Sequence, residues 1–141
     1  MSASVKLVSL KADLAKEQEG GWIPIPELPG VELLVRSIHY RPFVVARDAA
    51  SRRMAKRYGV EPVPPEEEAQ INGALYADHL LLGWKGFDQP HSPELARGLM
   101  TDVAYRELRG HVVYAAVQVG RADVEFLEDA RKNSEAPSAG A

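Results

Sequence analysis

Apolar and polar positions along this chain change period near residue 40. Before that point the spacing is that of strands. Val5, Leu7 and Val8 outline a short strand or strand-like arm over Val5 to Leu10. Lys11 to Glu19 is charged and stops at Gly20-Gly21, after which Trp22-Ile23-Pro24-Ile25 is apolar. Pro24 cannot donate to a ladder, so that run is an edge strand at best. Pro29-Gly30 marks a turn, and Val31 to Arg36 follows as the clearest strand in the chain. Residues 1–38 therefore predict a β-hairpin or a two- to three-stranded meander.

Beyond Tyr40 the spacing turns helical. Pro42 suits the first turn of a helix and Gly59 its end, and Phe43, Ala46, Ala50, Met54 and Tyr58 share one face between them. After the proline-rich connector Val60 to Pro65, Glu66-Glu67-Glu68 places three carboxylates in a first turn, where free N–H groups favour negative charge. This predicts a second helix over about Pro65 to Leu82, ending in a joint at Gly83-Trp84-Lys85-Gly86-Phe87. Its glycines release the chain and its aromatics seal the gap. Ser92 is placed to cap a short helix with Pro93 at its start, and Thr101 or Asp102 to cap the next. Ala104, Leu108, Val112, Ala115 and Val119 form a stripe that Gly120 ends, which predicts a helix in spite of the β-branched residues within it. A last helix is expected over about Ala122 to Lys132, turning Phe126, Leu127 and Ala130 inward. The Ser-, Pro-, Gly- and Ala-rich residues 134–141 read as a disordered tail.

The expected architecture is α+β and mainly α: an N-terminal hairpin or meander (β-rich 1–38) and four to five packed helices (41–133) in a single globular domain, 1–133. A length of 141 residues suits one domain. The absence of cysteine removes disulfides, thiolate metal sites and cysteine nucleophiles together, and it suits a reducing compartment. No segment approaches the roughly 20 apolar residues that cross a bilayer, and no secretory leader opens the chain. A cytoplasmic protein is therefore expected, with no membrane partner. A net charge of -3 makes nucleic acid an unfavoured partner.

Catalytic chemistry finds little support. The histidines His39, His79, His91 and His111 form no HxxxH or HExxH pair, so no metal is expected. Asp78 and His79 are sequence neighbours, and on a helix their side chains diverge by about 100°. Asp88 and His91, close together after Phe87, are the best catalytic pair on offer, and no Ser or Cys motif accompanies them. Gly83-Trp84-Lys85-Gly86 is neither a dinucleotide fingerprint nor a phosphate loop. No cofactor and no catalytic residue are expected. The strongest electrostatic feature is the first long helix, where Arg41, Arg47, Arg52, Arg53, Lys56 and Arg57 oppose a single Asp48. A solvated face accounts for it, an acidic protein partner is the next reading, and Glu66 to Glu68 can neutralise it from within.

The Glu19-Gly20-Gly21-Trp22-Ile23 turn, Val31 to Arg36, the Gly83-Trp84-Lys85-Gly86 joint, Ser92-Pro93-Glu94-Leu95-Ala96, the helix from Asp102 and the end at Arg131-Lys132-Asn133 together resemble the tail assembly chaperones of long-tailed, non-contractile, lambda-type bacteriophages. The resemblance implies a non-enzymatic factor of the host cytoplasm that binds the tape measure protein, keeps it soluble and promotes polymerisation of the tail tube protein. Homo-oligomerisation would suit such a factor. Such a task needs an apolar stripe or groove of the helix-binding kind. Its candidates are Leu75, Leu82, Trp84 and Phe87, then Leu95, Leu99 and Met100, with Arg52, Arg53 and Arg57 as the basic surface. Each apolar candidate also fits a core position. Many lambda-type relatives are made in two lengths by a ribosomal frameshift, so the resemblance implies a longer form as well, and Arg131-Lys132-Asn133 can be encoded by an A-rich slippery heptamer. The alternative is a virion structural protein such as a head–tail connector or tail-completion factor.

Overall fold

A computed structural model describes residues 4–127, which fall into two compact units, one of residues 14–120 and one of the two chain ends, up to residue 13 and from residue 121 onward. In the terminal unit, β1 (Ser4–Val5) leads into a 3₁₀ turn at Leu7–Leu10.

The larger unit opens with α1 (Leu14–Glu19), a helix within the charged run. Gly20, at a φ of 99°, ends it by donating to the Lys16 carbonyl at 2.9 Å, a left-handed position that glycine adopts without penalty. β2 (Gly21–Pro24) and β3 (Glu32–Val35) then pair antiparallel with Trp22 opposite Leu34 and Ile23 opposite Leu33. The burial alternates through Val31, Leu33, Val35 and Ser37, the period of a strand with one face on the core.

α2 (Arg41–Tyr58) keeps the expected bounds, with Pro42 in its first turn and the Gly59 N–H on the Ala55 carbonyl at 2.8 Å. It buries Phe43 and Ala50. α3 (Pro65–Leu75) carries the three glutamates in its first turn and buries Ala69 and Gly73. Here the fold departs from the expected helix to Leu82. The helix loosens into a π turn at Tyr76–Leu80 and runs without a loop into β4 (Leu81–Lys85), an antiparallel partner of β3. The sheet order is β2-β3-β4. Gly83 is therefore a strand residue facing Leu34 and no helix exit, while the register slips between Leu34 and Val35. The reason is non-local: a short apolar run such as Leu80 to Leu82 suits helix or strand equally, and the open edge of β3 decides.

α4 (Pro93–Met100) is capped by the Ser92 hydroxyl, which accepts from the Leu95 N–H at 3.1 Å. The Asp102 carboxylate accepts from the Ala104 N–H at 2.9 Å, and Arg109 donates to the carbonyls of Met100 and Asp102, closing the corner before α5 (Arg106–Gln118). On α5 the inward stripe is Val112, Ala115 and Ala116, with Val119 just beyond; Ala104, expected to begin it, is exposed ahead of the helix. The core gathers Leu33, Val35, Leu80, Met100, Val112 and Val119 between the sheet and these helices.

The helix expected from Ala122 is absent among the described residues. Residues 121–125 are irregular, and β5 (Phe126–Leu127) pairs antiparallel with β1, Val5 opposite Phe126. Phe126 and Leu127 are 62% and 55% exposed, so neither turns inward. Their strand partner lies at the other end of the chain, where local periodicity gives no signal. Ala130, the remainder of that expected helix and the expected tail at 134–141 lie outside the described residues. With five α-helices and small sheets described, the α+β, mainly α class holds.

Candidate functional site

Trp84 organises the site. It is an inward residue of β4 opposite Leu33, and its indole N–H donates to the Gln89 carbonyl at 2.8 Å, folding the segment after the strand back over the ring. Gly86, at a φ of 91°, makes the bend. A Cβ there would lie 2.3 Å from the Gly30 carbonyl oxygen, so two turns meet at glycine backbones. The bend sets Phe87 edge-on to Trp84 at 5.5 Å and His91 edge-on at 4.9 Å. Such edge-to-face pairs suit the ring quadrupoles.

Beside this cluster lies an open cleft of about 330 Å³. Trp84 and Phe87 line it with Leu95 and Leu99, one helical turn apart on α4, and with Leu28 from the β2–β3 turn. Tyr105, Leu108 and His111 close it from the α5 side, and Asp88, Gln89 and Glu107 supply its polar positions. Thus two apolar groups expected separately, Trp84 with Phe87 and Leu95 with Leu99, converge on one concavity. Met100 does not: it is 0% exposed and belongs to the core, because it follows Leu99 by one residue and points about 100° away. Leu75 packs against the core, and Leu82 sits at the irregularity of β4 beside Gly20; neither lines the cleft.

Of the other lining residues, Leu108 belongs to the expected stripe, and Asp88 and His111 stood out in the sequence only as candidates for catalysis or metal binding. Leu28, Gln89, Tyr105 and Glu107 had no signal of their own, since only tertiary packing brings them to the cleft.

Arg52, Arg53 and Arg57 are exposed on α2. Arg57 pairs with Glu67 at 2.9 Å, so one of the three first-turn glutamates does neutralise part of the basic helix. Arg53, Arg57 and Glu67 line a separate cavity of about 250 Å³ with Met54, Tyr58 and Ile71.

Asp88 and His91 make no hydrogen bond to each other. Among the described residues the His91 Nε2 is buried without a partner, and burial holds the imidazole below its ordinary pKa. Among the described residues no group of three or more His, Asp or Glu is placed to hold a metal ion, and no helix is long and apolar enough to cross a membrane. What the arrangement offers is concave apolar surface with a few polar groups at its margin, the composition of a binding site.

A protein-family profile described as "YdaY prophage protein" matches residues 38–133, more than half of the chain. The chain belongs to this prophage protein family, and its origin is phage-derived. The match spans α2 to α5 and every lining residue of the cleft except Leu28. Neither the curated proteins nor the solved structures give a match.

Proposed function

We propose that this prophage protein is a tail assembly chaperone, one that binds the tape measure protein, keeps its apolar helices in solution and promotes polymerisation of the tail tube around it. One observation carries the reading: the open cleft framed by Trp84, Phe87, Leu95 and Leu99 presents apolar side chains on rigid elements. A helix of a partner shields its own apolar stripe by laying it into such a surface. Supporting this reading are the prophage family and the order of motifs along the chain.

The test is co-expression with the tape measure protein of the same prophage. The native chain should move that protein from the pellet to the soluble fraction as a complex that survives purification. Leu99→Glu, a charge placed on a half-buried lining residue, should abolish the effect while the chain itself stays folded. Solubilisation that is indifferent to Leu99→Glu would move the contact elsewhere, and no solubilisation by the native chain would end the reading.

A further inference from the structure

The cleft does not stop at its own boundary. A second cavity of about 350 Å³ adjoins it, and Glu107 and His111 line both. These two residues are four apart on α5 and share one face of it, so the two cavities form one groove along that helix. From Tyr105 at one end to Tyr114 at the other, the helical rise makes the groove about 14 Å long, room for roughly two and a half turns of a docked helix. The β2–β3 turn forms the opposite wall of the extension through Ile25 and Glu27.

The charge along this groove has one sign. Glu27, Glu107 and Asp88 are exposed at its margin, and among the described residues none of the three is held in an ion pair and no lysine or arginine lines either cavity. Leu28, Leu95, Leu99 and Leu108 supply the apolar floor. An apolar floor with an unopposed acidic margin complements an amphipathic helix whose apolar stripe is bordered by lysine or arginine, and it repels one bordered by carboxylates.

We infer that the groove on α5 selects amphipathic helices with basic flanks, and that this charge rule decides which segments of a long helical partner the protein covers. The inference rests on the chaperone reading and adds its selectivity.

The experiment uses the full chain and two labelled synthetic helices of roughly 20 residues with the same leucine stripe, one flanked by lysines and one by glutamates, followed by fluorescence anisotropy. The lysine-flanked helix should bind about tenfold more tightly at low salt, three exposed ion pairs each contributing a small increment. The gap should close as salt rises. The triple variant Glu27→Lys, Asp88→Lys, Glu107→Lys changes only exposed side chains and should reverse the preference. Equal binding of both helices, or a preference that the triple variant leaves intact, overturns the charge rule and leaves the cleft as a plain apolar site. If neither helix binds while the native tape measure protein is still solubilised, the groove inference falls and the chaperone reading stands; if both fail, both fall.

Discussion

Gly73 sits in tight contact with neighbouring backbone. It lies on α3 where the chain passes Met100 and Thr101, and a Cβ there would fall 1.9 Å from the Met100 carbonyl oxygen. Backbone cannot step aside as a flexible side chain can, so Gly73→Ala should cost at least about 1–3 kcal/mol by overpacking, read from the urea midpoint. A neutral result would mean that α3 and α4 do not approach as described. His91 gives a second prediction. Its pKa is lowered by burial from the ordinary 6.5, so in acid the unfolded chain binds the proton more readily than the folded one. The stability that His91 contributes is present above that value and is lost as pH falls through about 6.5 toward the folded value. His91→Phe should flatten this decline when urea midpoints at about pH 7.5 and about pH 5.5 are compared, and an equally steep decline in the variant would remove His91 as its cause. At this scale the sequence was most informative about caps: Ser92, Asp102, Pro42 and Gly59 act locally, and each sits where its chemistry placed it.

Among the elements, β4 joins core to site. Trp84 packs in the core, hydrogen-bonds Gln89 and lines the cleft, so Trp84→Ala should cost about 3–5 kcal/mol and release the segment after the strand. Thermal unfolding measures the first effect and proteolysis after Lys85 the second; a loss under about 1 kcal/mol would contradict the packing. This element was the least legible in the sequence, because Leu80 to Gly83 continues a helical stripe and nothing nearby announces a strand. Its partner β3 lies before two intervening helices, and such pairing leaves no mark on local periodicity. The same holds for β5, whose partner is at the other chain end, and for α1, whose charged residues carry no inward stripe. By contrast α2 and α4 were legible from the residues at their ends, Pro42 and Gly59 in one and Ser92 and Pro93 in the other, and α5 from its stripe at Val112, Ala115 and Val119, although Asp102 caps the turn Val103–Tyr105 ahead of it and not the helix itself. Half the cleft was legible for the same reason: Leu95 and Leu99 are one stripe and Trp84 with Phe87 one aromatic cluster. Leu28, Glu107 and His111 needed the tertiary contact of a turn with a helix.

For the whole molecule, stability and binding should separate along α4. Met100→Ala empties a fully buried site and should cost about 2–5 kcal/mol. Leu99→Glu, one residue away at the cleft and only partly buried, should lower the urea midpoint by much less than Met100→Ala and abolish tape measure binding. Parallel losses in both variants would mean that the cleft is only a defect of the core. The central claim, that this prophage protein acts on tail assembly from outside the finished particle, is tested most directly by inducing the prophage with a tagged copy of the chain and assaying lysate and purified particles together by quantitative mass spectrometry. The account predicts the chain in a complex with the tape measure protein in the lysate and none in the particles. A fixed copy number in the particles, with no complex in the lysate, would contradict it and identify a structural component of the virion.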